Sequence, residues 1–373
     1  MAVKRRSSNL ELFRIITMLL IVAHHYVVNS GLTATDGPIF SNLLSWKSIF
    51  LLLFGAWGKT GINCFVFITG YFMCKSNITL KKFLKLLLEV EFYRIVIYLI
   101  FVLTGYVPFS TLSFVKLFIP VTSITDNFTG CYLAFFLCIP FINKLIHSLS
   151  EKQHIYLIIL LCYIYVFLGT VPTFDVRMNY VSWFITLYFI ASYISLYPKK
   201  IFESARIWGF ATVILMFVSS ASVIACIKIG VKTDRFIPYY FLADSNKIMA
   251  VLTALSAFLF FKNIKLKSNF INTVAASCFG VLLIHANSDA MRKWLWKDVL
   301  NNVGAYNTGS LILHAVGSVI AIYVICTLID YIRIRFLEKP FFRFADKYIA
   351  KISDSYIRIE SKVCEKLNFK ENV

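Results

Sequence analysis

The chain has 373 residues, 59% of them hydrophobic and only 15% charged, with a formal net charge of +19. A soluble domain of that size has nowhere to put so much apolar surface, so a nucleic-acid reading of the positive charge gives way to an all-α, polytopic integral membrane protein. The nine cysteines stand mostly alone in apolar runs, as Cys64, Cys138, Cys226 and Cys278 do, with no CxxC or Cys/His cluster, which reads as small buried hydrophobes and no metal site.

In chain order, Lys4, Arg5 and Arg6 precede an apolar run with no small-residue cleavage site after Val28, which reads as an uncleaved signal-anchor helix. Within that run, ELFRIITMLLIVAHHY, stand Glu11, Arg14, His24 and His25, all expensive groups in hydrocarbon. The eleven-residue step from Arg14 to His25 is about 1100° of helical rotation, within about 20° of three full turns, so the two share a face roughly 16 Å apart along the axis. Glu11 falls near the same stripe and His24 points away. Taken singly, Arg14 reads as a snorkelling anchor and His25 as a hydrogen-bonded interface histidine. In phase with Glu11, they read as a site.

Ten spans are expected, at about 11–30, 49–73, 86–105, 129–146, 154–171, 180–197, 207–228, 246–261, 272–287 and 308–332. With the N-terminus in the cytoplasm, the inner segments carry 25 cations and the outer ones 11, leaving Arg14 and Arg94 within spans. The asymmetry predicts both termini on the cytoplasmic side. The second span is interrupted by Gly55, Gly58, Lys59, Gly61 and Asn63, which fits either backbone irregularity beside a cavity or close packing through small residues. In the third, Glu91 and Arg94 are spaced to pair, with Arg94 expected nearer the cytoplasmic side. His147 and His154 fall in a short loop and are expected to be solvated. His285, near the outer end of the ninth span, reads as a structural histidine within reach of Asn287, and His314 in the tenth as another. Residues 1–335 form the membrane domain. Residues 336–373, with Phe341, Phe344, Tyr348, Ile352, Tyr356, Ile359, Val363 and Leu367 at helical spacing among lysines, read as a basic amphipathic cytoplasmic tail.

The chain resembles the membrane acyltransferase family 3 over nearly its whole length. The likeness rests on the Arg, ten residues, His pattern met by Arg14 and His25, with Glu11 in the usual acidic place. GINCFVFITGYFM, YLAFFLCIPFINKL, FGVLLIH and LEKPFFRF add to it. Departures are the missing proline after Arg94 and Gly130, Cys131 and Tyr132 where tryptophan is common. The resemblance implies an O-acyltransferase of the cell membrane, in its stand-alone membrane form, moving an acyl group, most often acetyl, from acyl-coenzyme A to a sugar or other envelope acceptor. It assigns Arg14 to the donor and His25 to the transfer, and singles out His285 through the phrase around it. Arg94 is a second donor candidate and Glu91 its neighbour.

Transfer from a thioester to a hydroxyl needs a base, charge stabilisation at the carbonyl and a grip on a polyanionic donor. Histidine titrates near working pH, so His25 is the expected base, or alternatively a nucleophile. Expected partners are acyl-coenzyme A, a glycan or lipid-linked sugar and membrane lipids, with no nucleic acid and no metal. Intramembrane charge alone also fits a transporter or flippase, although no inverted repeat is visible.

Overall fold

The computed structural model describes residues 7–119, 128–174, 176, 178–346, 348–349 and 351. Lys4, Arg5, Arg6 and the tail positions from Ile352 onward lie outside the described residues. In chain order the helices are α1 (Ser8–Val28), α2 (Pro38–Ser41), α3 (Trp46–Phe54), α4 (Gly58–Met73), α5 (Leu80–Leu103), α6 (Thr111–Leu117), α7 (Phe128–Ser148) and α8 (Glu151–Cys162). They continue as α9 (Tyr180–Leu196), α10 (Ala205–Thr233), α11 (Ile248–Asn263), α12 (Asn269–Ala275), α13 (Cys278–His285), α14 (Asp289–Lys293), α15 (Asn302–Tyr306) and α16 (Leu311–Arg333). No strand occurs among the described residues.

Polar residues at the expected places start these helices. Ser45, Thr79, Asn179 and Ser204 accept a backbone N–H at the first turns of α3, α5, α9 and α10, and Ser150 with Gln153 closes a capping box on α8. Among the described residues, six helical stretches are long and apolar enough to cross a bilayer, or seven if Asn269–His285 and Asp289–Val299, bent by 93°, form one span. All ten expected spans fall on helices, but α5, α9 and the 16-residue α11 do not reach that standard. Charge lowers α5, which carries Lys81, Lys82, Lys85, Glu89, Glu91 and Arg94. Length lowers the other two: at 1.5 Å per residue they run to about 24–26 Å, short of a hydrocarbon core of about 30 Å.

Burial sorts the helices by neighbour. Trp183, Phe184, Tyr188, Phe189, Ile190 and Ser192 put almost the whole circumference of α9 inside the protein. Ile207, Phe210, Val213 and Phe217 leave α10 exposed along its length, as a helix facing lipid would be. One buried cluster gathers α4, α7, α9 and α11 around Phe67, Phe135, Tyr188 and Phe258. A second joins the His25 half of α1 to α3, α5, α13 and α16 through Tyr26, Leu51, Val281 and Ala315. Helix α1 contributes to both, Leu10 and Phe13 to the first and Met18 to Val27 to the second, so it is the axis on which the two halves meet.

The interrupted second span combines a break in the helix with close packing through its glycines. Helix breaks off at Gly55 and restarts at Gly58, and the glycines seat this broken span against α1. A Cβ at Gly58 would enter the His24 ring, at Gly55 it would lie 2.8 Å from Val27, and at Gly61 2.8 Å from Ile21. The last helix is longer than expected: after α16 a π-helical turn, Ile334–Glu338, carries it on, and the stretch Leu311–Asp346 spans 36 residues.

Candidate functional site

The site is built outward from α1. At its first turn, Ser8 bonds the Ser268 carbonyl and Asn9 the carbonyls of Phe261 and Lys262, which ties that end to the α11–α12 link. One turn on, Arg14 Nη1 donates to both Glu11 carboxylate oxygens at 3.2 Å. The Glu11 side chain is 9% exposed and that of Arg14 29%, so the carboxylate is buried and the guanidinium retains an open side.

Toward the other end of α1, His25 Nδ1 lies 2.9 Å from His285 Nε2. His285 is fully buried, and its Nδ1 lies 2.6 Å from the Val281 carbonyl, one turn back on α13. A carbonyl only accepts, so Nδ1 carries the single ring proton of a neutral His285 and Nε2 is left with its lone pair. His25 must then donate from Nδ1, and its Nε2 lone pair is free to take a proton. The two imidazoles form a dyad in which His285 orients His25 and leaves the His25 Nε2 lone pair able to accept a proton. That division of labour follows from hydrogen-bond roles alone.

The surroundings reinforce the geometry. His24, adjacent in sequence, donates from Nδ1 to the Gly55 carbonyl at 2.6 Å, so it satisfies the broken backbone and stays out of the dyad. The Trp296 ring stands edge-on to His285 at 6.3 Å, and Tyr26 bonds His314 at 2.8 Å, in keeping with a structural His314. Lys59 reaches Tyr180 at 2.7 Å and Asp244 at 3.5 Å.

Several expectations are corrected. His285 does not rely on Asn287, which donates to the Leu283 carbonyl; its partners are His25 and Val281. His154 is not solvated but fully buried, with Nε2 at 3.0 Å from the Phe189 carbonyl. His147 is exposed, as expected, and its Nε2 also bonds the Cys74 carbonyl. Glu91 and Arg94 pair at 3.0 Å as their spacing predicts, but Arg94 also donates to the Lys116 carbonyl at 2.8 Å. Helix α6 follows the far end of α5 and folds back along it, with Tyr98 bonded to Ser110. Arg94 is thereby committed to this fold-back rather than to the end of the bundle that holds Arg14, and no bond among the described residues links it to Arg14, Glu11 or the dyad.

The sequence reading missed a buried ionic network. Arg333 bonds Asp330 at 2.8 Å, Glu338 at 2.9 Å and Glu89 at 3.0 Å, and Tyr93 donates to Asp330 at 2.8 Å. Asp330 in turn presses on α13, where a Cβ at Gly280 would collide with its carboxylate. The signal was the i,i+3 spacing of Asp330 and Arg333 in an otherwise apolar helix, with Glu338 in the phrase LEKP. Among the described residues, no three His, Cys, Asp or Glu side chains converge as a metal site.

The comparisons bear on this arrangement. Neither the curated proteins nor the solved structures give a match. The model of acyltransferase family 3, described as an acyltransferase domain, matches residues 7–331, a range that holds Glu11, Arg14, the dyad and the buried network up to Asp330. With the match covering nearly the whole chain, this membrane protein belongs to acyltransferase family 3.

Proposed function

We propose that the protein transfers an acyl group, acetyl in the first instance, from acyl-coenzyme A to a hydroxyl of a sugar in an envelope glycan or lipid-linked precursor. The observation that carries this reading is the 2.9 Å contact between His25 and His285, which leaves His25 Nε2 as an oriented base. His25 takes the acceptor's hydroxyl proton as the oxygen bonds to the thioester carbonyl carbon. The tetrahedral intermediate collapses with cleavage of the C–S bond, and the proton on His25 passes to the leaving thiolate. Atoms and charge balance with no further reactant. Arg14, held by Glu11 about 16 Å along the helix from His25, binds the donor's phosphates from the cytoplasmic side, and the pantetheine arm spans the gap to the dyad.

Part of the proposal is a bacterial cytoplasmic membrane location with ten crossings and both termini inside, a topology that the cation asymmetry supports. Membership of an acyltransferase family favours transfer over the transporter reading that intramembrane charge alone left open. The test uses membranes containing the protein, labelled acetyl-coenzyme A and an extract of envelope glycans. His25→Ala is expected to lower transfer about 100-fold or more, and His24→Ala to retain most of it. Full transfer by His25→Ala at matched expression would overturn the assignment.

A further inference from the structure

At the end of the bundle that carries the dyad, the α2–α3 link and the last turn of α10 enclose an open cleft of about 330 Å³, lined by Phe40, Asn42, Leu43, Asp234, Arg235 and Phe236 among others. That volume is at the lower end of small-molecule sites, about 300–1,000 Å³. The Phe40 and Phe236 rings lie 5.4 Å apart, inclined by 33°, and Phe40 is 42% exposed. Asn42, Asp234 and Arg235 are exposed on the rim, and no hydrogen bond or ion pair joins their side chains to other described residues.

The rim is fixed rather than incidental. Asp234 ends α10 in the left-handed conformation, with φ 51° and ψ 45°, a region that non-glycine residues enter at a cost and that aspartate tolerates best. The Arg235 N–H closes the turn on the Gly230 carbonyl at 2.9 Å. A carboxylate, a guanidinium and a carboxamide thus surround an exposed aromatic face without engaging one another.

We propose that this cleft is a subsite for a neutral saccharide unit of the acceptor, stacked on Phe40 and bonded through its hydroxyls to Asn42, Asp234 and Arg235. A pyranose presents an apolar C–H face and a rim of hydroxyls. The phenyl ring takes the first. The carboxylate accepts from hydroxyls, the guanidinium donates to them, and the carboxamide does both. Asp234 and Arg235 cancel in charge, so the site has no net pull on an ionic ligand.

A short segment runs from the cleft toward the dyad. Three residues after Phe236, Tyr239 bonds the Leu52 carbonyl at 3.0 Å, its ring lies 6.3 Å from that of His24, and the His24 ring lies 5.9 Å from that of His25. Three residue steps cover at most about 10 Å, so the cleft and His25 are within the length of an oligosaccharide of a few units. The inference rests on the acyltransferase reading with a sugar acceptor, and it adds that the acceptor is recognised as a chain.

Binding tests this apart from catalysis. Full-length protein in nanodiscs, without donor, is titrated with neutral oligosaccharides of glucose, galactose, rhamnose, N-acetylglucosamine and N-acetylgalactosamine in increasing length, read by saturation-transfer NMR. At least one series is expected to bind more tightly with length. Phe40→Ala and Asp234→Asn should each weaken it about tenfold, while Lys152→Ala, on the exposed start of α8 far from the cleft, binds as wild type. Absence of binding by every series, or binding indifferent to both variants, overturns the subsite. Because binding is read without donor, failure of the catalytic assignment would show separately, as transfer that survives His25→Ala.

Discussion

The Val281 carbonyl holds the one ring proton of a neutral His285 at 2.6 Å, and the consequence is carried across 2.9 Å to His25. His25 thus has one nitrogen engaged and one free, and under the proposed mechanism it is a base that works only unprotonated. Transfer should therefore fall on the acid side of the pH profile as His25 becomes an imidazolium, with a His25-independent residue that does not follow the same curve. Rate against pH for wild type and His25→Ala checks this, and an acid limb unchanged in the variant would assign the titration elsewhere. How legible was the site? Helical phase in one stretch of sequence was enough to put Arg14, Glu11 and His25 on one face. It was not enough to bring in His285, 260 residues away, because no local spacing encodes a contact between α1 and α13; only a resemblance pointed to it.

At the scale of elements, two glycines hold the site in register. Gly58 lies against the His24 ring and Gly280 against the Asp330 carboxylate, and neither neighbour is a loose side-chain end: His24 is bonded to Gly55 and Asp330 to Tyr93 and Arg333. Gly280→Ala must then push α13 off α16, an overpacking cost of about 1–3 kcal/mol, and His285 moves with the helix. Thermal unfolding in detergent should show the loss of stability, and transfer should fall beyond what the lost folded fraction explains. Unaltered stability would mean that the α13–α16 contact is looser than the geometry says. The break in the second span was readable because glycines and a lysine interrupt an apolar run. The fold-back of α6 was not, since what holds it is Arg94 on a backbone carbonyl of Lys116, and any carbonyl can accept such a bond.

The whole molecule is held at one end by Arg333, whose side chain is 6% exposed and ringed by Glu89, Asp330 and Glu338. These join α5, α16 and the turn after it, and Lys85 adds a second bond to Glu338 at 2.6 Å. Removing Arg333 leaves Glu89 and Asp330 buried without their cation and Glu338 with Lys85 alone, so Arg333→Met is expected to destabilise the protein by about 3–5 kcal/mol, seen as a drop in unfolding temperature; an unchanged temperature would contradict the network's role. Membrane character was plain from composition, and the helices fell where apolar runs predicted. The number of crossings is less legible, since α5 carries charges that pair inside the bundle and α9 and α11 are apolar but short. Orientation is checked by labelling: a membrane-impermeant maleimide should reach Asp36→Cys in intact cells and Lys152→Cys only after permeabilisation, and the reverse pattern would invert the proposed topology.

The central claim, that His25 and His285 act as one unit in acyl transfer, is tested most directly by a double-mutant cycle on the purified protein in liposomes. The rate of transfer from labelled acetyl-coenzyme A is measured for wild type, His25→Ala, His285→Ala and the double variant. A dyad predicts that His285→Ala loses much of the rate and that the double variant is no slower than His25→Ala, because an orienting group has nothing left to orient. A wild-type rate in His285→Ala, or losses that multiply in the double variant, would contradict it.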